Sequence, residues 1–433
     1  MTDVYDYLTV LGKNWDAQPY TFALENFRAF CAALGKPYEN LRCIHVAGTN
    51  GKGSVAWMLA QSFQSAGFKT GLYTSPHMTL FTERIRIDGR PLPASDWATA
   101  VERFRSAFEA HRPTFFESAT AVAFTLFQEI KTDVAVLETG LGGRLDATNL
   151  VSPLVSVITN VGHDHQDILG TRLEQIAAEK AGIMKPGVPA VVGEKRPEIR
   201  EVFTAFARDV GAPLHFCDVE ARPVHIEPGA MRFNIVRDGK TLAESQTELW
   251  GLHQCDNIAV VWKAIEVLNA LSPQDGLGKP VLPDFRAPGL RGRLEILERS
   301  PLVVVDGAHN PEGAEALFAS LRAAGIENPF VVWGALADKD HAKTAAHFPK
   351  GARFFFTVPD SPRAAPLETW TPFAQNLRAS FHPDFESAYV DAKNEARRES
   401  GAVVVAGSLY LAAQALKYAH GTYLPQNGGG KEH

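Results

Sequence analysis

Four cysteines stand in 433 residues, Cys31, Cys43, Cys217 and Cys255, and no two of them have paired or metal-ligand spacing. That excludes a disulfide scaffold and a zinc ribbon, and it suits a reducing compartment, here expected to be the cytoplasm. An excess of positive charge is also missing. The formal net charge is −6, whereas a nucleic-acid binder carries a basic patch or a basic balance. No apolar run reaches membrane-spanning length. Residues 1–7 are acidic with no apolar centre, unlike a secretory leader. Internal repeats, heptads and extended low-complexity segments are absent, which leaves a monomer as the expectation. What is present is ordinary globular composition, 45% hydrophobic and 21% charged, in a chain long enough for two domains. The partners expected are small molecules, with no nucleic acid and no membrane.

The stretch with the most chemistry in it is Ile-His-Val-Ala-Gly-Thr-Asn-Gly-Lys-Gly-Ser at 44–54. An apolar strand runs into a glycine turn, and a helix is expected from near Ser54. Glycines let consecutive N–H groups converge on an anion, the helix adds its positive end, and Lys52 can reach outer phosphates. The usual triphosphate loop has a glycine where Val46 stands and a hydroxyl where Gly53 stands. The lesser alternative for this stretch is a Gly-rich turn with a surface lysine.

Further along, short apolar runs end repeatedly in polar or glycine-rich sequence. Thr70 to Tyr73 ends in Thr-Ser-Pro-His77, residues 133–138 end at Glu138 before Thr-Gly-Leu-Gly-Gly, and Val155 to Thr159 ends in Asn160-Val-Gly-His163-Asp-His165. Near-continuous apolar strands are those covered on both faces, and in a parallel sheet their carboxyl ends share one edge, where ligands bind. Helices are expected around Phe22 to Phe30, from Ser95 as a cap to about Ala110, from Phe115 through Phe127, over 174–184 and 198–210, and from about Asn257 to Leu271. Turns at Pro228-Gly229 and Asp238-Gly239 divide a strand-rich stretch. The Pro- and Gly-rich stretch 280–292 reads as a linker, after which strands at 301–305, 330–333, 354–358 and 402–405 alternate with helices. The fold class is α/β: an N-terminal, mostly parallel P-loop-type domain over 1–285, a smaller Rossmann-like domain over 286–425, and a disordered tail from about 426.

Carboxylate, imidazole and hydroxyl groups at the strand ends, Glu138 and His165 among them, suit a divalent cation that also takes phosphate oxygens, for which magnesium is the economical choice. Lys180 reads as an ordinary solvated helix lysine. Asp306, His309 and Asn310 could bind a ribose, a phosphate or an amino acid, or could simply cap a helix. Arg293 could reach a triphosphate or be a surface charge.

Together these stretches resemble the folylpolyglutamate synthase and dihydrofolate synthase family of Mur-type amide ligases. The resemblance is carried in order by Ala-Gly-Thr-Asn-Gly-Lys-Gly-Ser at 47–54, Thr-Ser-Pro-His at 74–77, Phe-Thr-Glu-Arg-Ile at 81–85, Gly-Leu-Gly-Gly-Arg-Leu-Asp-Ala-Thr-Asn at 140–149 and Gly-His-Asp-His-Gln-Asp at 162–167. It continues with Glu-Lys-Ala-Gly-Ile at 179–183, His-Gln at 253–254, Gly-Arg-Leu-Glu at 292–295, Asp-Gly-Ala-His-Asn-Pro at 306–311, Ala-Asp-Lys-Asp at 337–340 and Gly-Ser-Leu-Tyr at 407–410. It implies ATP phosphates on Gly51, Lys52, Gly53 and Ser54, with Asn257, Arg293 and Asp306 also on the nucleotide. It implies magnesium at two sites through Ser75, Glu138 and His165, with potassium as a further permitted cation. Lys180 would be carbamylated. His309 and Ser408 would lie toward L-glutamate, and Phe115, Phe116, Glu117, Ser118 and Leu145 would line a pterin pocket. Lys52, Lys180, Arg293 and His309 would be the catalytic set, and closure of the domains would shield an acyl phosphate from water. The family commonly has Val at 139 and Leu at 163, which makes His165 rather than His163 the ligand; the aromatic and proline it often has before Gly292 are missing. The implied activity is ATP-dependent addition of glutamate to dihydropteroate, to reduced folates, or to both, in folate and one-carbon metabolism. The alternatives are a ligase of the same architecture acting on a cell-wall nucleotide precursor, and a non-catalytic nucleotide switch.

Overall fold

The computed structural model describes residues 4–13, 24–271, 282–287, 289–375, 377–419 and 421. Phe22, Pro280 and the tail from Pro425 lie outside the described residues. The chain forms two units. One comprises Met1–His225, Ala230–Glu248 and Leu252–Leu290; the other comprises Ile226–Gly229, Leu249–Gly251 and Arg291–His433.

The first unit is built on eight strands: β1 Cys43–Ala47, β2 Thr70–Tyr73, β3 Ile85–Ile87, β4 Arg90–Pro91, β5 Val134–Glu138, β6 Val155–Ile158, β7 Ala190–Val192 and β8 Leu214–Phe216. They pair in the order β4-β3-β2-β5-β1-β6-β7-β8. From β2 to β8 every pairing is parallel, and only the β2–β3–β4 edge is antiparallel. The apolar runs explain this. Every residue of β1, β2, β5, β6 and β7 is buried, as befits strands covered by helices on both faces. Asp88 and Gly89, both at positive φ, make the tight turn between β3 and β4.

Several helix boundaries differ from expectation. The helix after the glycine loop is Lys52–Ser65, so Lys52 itself opens it. Ser95 is not a cap: the helix Ala94–Arg103 starts after Pro93, stops at Phe104, and Arg105–His111 forms a separate helix. The helix around Asn257 is Leu252–Ala270, which puts Asn257 in its second turn rather than at its start. The helix Phe115–Ile130 is fixed by a capping box in which the Thr114 hydroxyl accepts from Glu117 N and the Glu117 carboxylate accepts from Thr114 N.

A three-stranded sheet of β9 Glu220–Glu227, β10 Ala230–Arg237 and β11 Lys240–Thr247 follows. Beyond it, the described part of the Pro- and Gly-rich stretch is packed rather than free. Phe285 is fully buried and bridges Thr247. The Arg286 carbonyl accepts from Trp57 Nε1 and Gln61 Nε2 on the Lys52–Ser65 helix, and the Glu248 carboxylate accepts from Ala287 N and Arg286.

The second unit holds six strands: β12 Glu295–Arg299, β13 Leu302–Val305, β14 Phe330–Trp333, β15 Arg353–Phe356, β16 Arg378–Phe381 and β17 Ala402–Ala406, in the order β12-β13-β17-β14-β15-β16. Only β12 is antiparallel to its neighbour. The edge strands β12 and β16 were not expected from the sequence: their residues are exposed or half-buried and lack an apolar run. In the first unit, Phe285→Ala should lower the stability of the full chain by about 3–5 kcal/mol, the range for emptying a buried aromatic position. An unshifted urea midpoint would show that this segment contributes nothing to the core.

Candidate active site

Parallel pairing aligns the carboxyl ends of β2, β5, β1 and β6, with Tyr73 opposite Leu137, Val46 opposite Glu138, and Ala47 opposite Ile158. The glycine loop leaves β1 at the centre of this edge. It is clamped from the β6 side: Thr49 N donates to the Asn160 carbonyl, Asn50 N to Asn160 Oδ1, and Thr159 Oγ1 and Asn160 Nδ2 both donate to the Asn50 carbonyl. Gly48 and Gly51 are obligatory here. Both have positive φ, and a Cβ would come 1.8 Å from Thr159 Oγ1 at Gly48 and 2.1 Å from Asn257 Oδ1 at Gly51. The second contact shows that Asn257 lies directly over the loop. Gln254, fully buried one turn earlier, accepts from Asn257 Nδ2 at 2.9 Å and so orients it.

Two lysines converge on one carbonyl. Lys52 Nζ donates to Gly48 O at 3.1 Å and to Thr49 O at 3.1 Å, and Lys180 Nζ donates to Gly48 O at 2.9 Å. The solvated-lysine expectation for Lys180 is therefore wrong. Its side chain is buried, and burial, reinforced by the charge of Lys52, lowers its pKa to about 7. On the other side of the loop stands Glu138, buried, with Oε2 accepting from Ser75 N at 2.9 Å. A Cβ on Gly53 would sit 3.5 Å from each Glu138 oxygen, an ordinary contact distance, so the first turn of the helix faces this carboxylate directly. His165 follows β6 at positive φ with its ring about two-fifths exposed. Among the described residues no three His, Cys, Asp or Glu side chains form a metal cage. The donor set nevertheless fits magnesium, which takes one or two carboxylates and completes its shell with phosphate oxygens and water.

Behind Glu138 the loop 140–146 folds back on itself. Buried Asp146 accepts from Gly140 N at 2.8 Å, Leu141 N at 2.9 Å and Thr148 N at 3.0 Å, and the Thr148 hydroxyl donates to it as well. Burial raises the Asp146 pKa, and these four donors oppose the rise. Since the Thr148 proton is engaged, its oxygen accepts from His45 Nε2 at 2.7 Å, which makes His45 the neutral Nε2–H tautomer. No local sequence pattern signals this His45–Thr148–Asp146 chain, whose members lie up to 103 residues apart. The Phe116 ring fills the space a Cβ on Gly140 would occupy. Phe115, Phe116 and Leu145 are half-buried, whereas Ser118 is fully buried and the Glu117 carboxylate is engaged in the helix cap.

The second unit repeats the arrangement at the ends of β13 and β17. Asp306 accepts from Leu294 N and Ala308 N, His309 Nδ1 donates to the Gly307 carbonyl at 2.8 Å, and Asn310 caps the helix Pro311–Ala323. Arg293 lies over Gly307, where a Cβ would come 2.6 Å from its Nη1. Ser408 is buried at the start of the helix Leu409–Ala419, its hydroxyl accepting from Leu411 N.

Desolvation in the sheet centre depresses the His45 pKa to about 3, against 6.5 for a free imidazole. The folded state thus refuses a proton that the unfolded chain takes up, so this contribution to stability is complete above about pH 6.5 and is lost as pH falls toward 3, by at most about 1.4 kcal/mol per pH unit. His45→Gln keeps a donor for Thr148 but does not titrate. Its stability should therefore fall less between pH 6.5 and 5 than that of the parent, as read from urea midpoints.

Comparison with known proteins agrees with this geometry. The Mur ligase middle domain matches residues 46–265, and the Mur ligase glutamate ligase domain matches residues 292–409. The dihydrofolate synthase/folylpolyglutamate synthase of Bacillus subtilis is 35% identical over 421 residues, covering 91% of this chain and 94% of that protein. A Mycobacterium tuberculosis folylpolyglutamate synthase complexed with ADP superposes with a TM-score of 0.85 at 28% identity, covering 96% of this chain and 98% of that one. Escherichia coli FolC in complex with DHPP and ADP gives 0.81 at 31% identity, with 97% and 98% covered. On sequence, on fold and on the layout of the sheet edge, the chain belongs to the folylpolyglutamate synthase/dihydrofolate synthase family of Mur ligases.

Proposed function

We propose that this protein is an ATP-dependent ligase that adds L-glutamate to dihydropteroate, to reduced folates, or to both. The observation that carries this reading is the pair of lysines on the Gly48 carbonyl, with the buried Glu138 carboxylate on the other side of the same loop. That is a place for a triphosphate and its counter-charges. Gly51, Lys52, Gly53 and Ser54 would hold the phosphates, and Asn257, Arg293 and Asp306 would also contact ATP. Ser75, Glu138 and His165 would hold magnesium, which when bound neutralises phosphate charge. A carboxylate oxygen of the pterin acid attacks the γ-phosphorus, the bond to the β-phosphate oxygen breaks, and ADP leaves. Lys52 and Arg293 stabilise the charge spread over the transferred group. The glutamate amine then attacks the acyl phosphate carbon, loses its proton, and phosphate departs. His309 and Ser408 belong to the glutamate side, and Phe115, Phe116 and Leu145 to the pterin side.

Lys180 fits a carbamate. A free lysine is neutral in roughly one copy in 2,500 at pH 7, but the depressed value here makes the neutral amine plentiful. That amine can add to carbon dioxide, forming a C–N bond with loss of a proton, and the product is an anion facing Lys52. The folate reading is favoured over a cell-wall precursor because the relatives that span some nine-tenths of the chain are named for folate substrates.

The direct test supplies ATP, magnesium and glutamate with dihydropteroate or a reduced folate and reads product masses. One added residue on dihydropteroate indicates the synthase step, and a ladder on folate indicates chain extension. Lys52→Ala should abolish ADP formation with the fold intact by circular dichroism; near-normal phosphate release from it would refute the loop assignment. Lys180→Ala should be inactive and partly restored by acetate, and full activity without acetate would rule the carbamate out.

A further inference from the structure

Arg84 is a buried cation with no carboxylate at ion-pair distance among the described residues; the acidic charge acting on it is Glu138, from farther away. Arg84 is 7% exposed. Its Nε donates to His77 Nδ1 at 3.0 Å, its guanidinium lies 5.1 Å from the centre of the Phe115 ring, and the Tyr73 side chain stands next to it. All three partners are neutral, since a His77 that accepts at Nδ1 carries its proton on Nε2. Glu83, the adjacent carboxylate, is engaged elsewhere: it accepts from Met78 N, Thr79 N, Leu80 N and the Thr79 hydroxyl. Among the described residues no carboxylate forms an ion pair with Arg84. Burying a charge without a partner is costly, and such groups are normally paired.

The location says what completes the pair. The Arg84 carbonyl accepts from Thr74 N at 3.0 Å, so its backbone lies against the end of β2, beside the Ser75 whose N–H reaches Glu138. Its side chain runs under Phe115, the first residue of the helix that presents Phe116 to Gly140. Tyr5 packs on His77, Phe81 and Phe115 in the same cluster, with ring centres 5.9, 5.3 and 5.8 Å apart. Arg84 therefore stands between the residues placed on the phosphate side and those placed on the pterin side. With Nε on His77, its terminal nitrogens retain donors in a fork that fits a carboxylate.

We propose that Arg84 binds the carboxylate of the pterin acid, the group that becomes phosphorylated, and holds it at the Ser75–Glu138 edge. This rests on the folate-ligase reading and names a substrate-binding residue for it. In the free protein the guanidinium has Glu138 only at a distance, and substrate supplies its direct ion pair.

The test compares binding of dihydropteroate with that of its neutral carboxamide, by tryptophan fluorescence with a non-hydrolysable ATP analogue and no glutamate. The wild-type chain should prefer the acid by ten- to a hundredfold, the worth of a charge-assisted hydrogen bond. Arg84→Met should bind both alike and melt no lower than wild type, since an apolar residue replaces an uncompensated charge. Arg84→Lys, which keeps the charge but loses the fork, should retain only part of the preference. Equal binding of acid and amide by wild type overturns the proposal, and so does an acid preference that survives in Arg84→Met. A wild-type protein that forms no ADP from ATP and glutamate with either dihydropteroate or a reduced folate would instead overturn the ligase reading itself.

Discussion

Everything at the site follows from β1 lying between β5 and β6 in one parallel ladder. Parallel pairing sends every strand's carboxyl end to the same edge, so the glycine loop, Glu138 and the Asn160 clamp become neighbours by backbone register alone. The side chains need then be correct only over the residue or two beyond each strand. The same logic operates in the second unit, where Asp306 N donates to the Val405 carbonyl and brings the ends of β13 and β17 together.

The edge is also where the fold gives up stability. Lys180 is an amine drawn into a buried position beside Lys52, Arg84 has no direct ion pair, and His45 in β1 and Asp146 in the loop beyond β5 bury polar groups. Each would be replaced by something apolar if stability alone were selected. Departures of this kind gather at functional sites, with compensation elsewhere, and here the fully apolar strands beneath provide it.

Much of this could be read from the sequence because the strands are apolar on both faces and stop abruptly. The positions of Glu138 and of the glycine loop depend only on that local pattern. What could not be read depends on partners far away in the chain. Nothing near Lys180 indicates burial, because its acceptor, Gly48, is 132 residues distant. Asn257 covers Gly51 only because its helix begins at Leu252, and a window centred on apolar spacing misses the polar first turn. Ser95 looked like a cap because of its residue type, but Pro93 already fixes the backbone entering that helix. Strands β12 and β16 carry no such pattern, because edge strands need no apolar run.

The two units are not contiguous in sequence: Ile226–Gly229 and Leu249–Gly251 belong with the second, although both are encoded within the first. Trp250 Nε1 donates to the Leu294 carbonyl at 2.8 Å, so one of these fragments is stitched into the later unit by its own side chain. A recombination event that exchanged everything after Leu290 as a cassette would leave both fragments behind, facing a stranger. Lineages are therefore expected to inherit the halves together, and the spread of this architecture to new substrates would proceed by point changes at the sheet edges rather than by shuffling of modules.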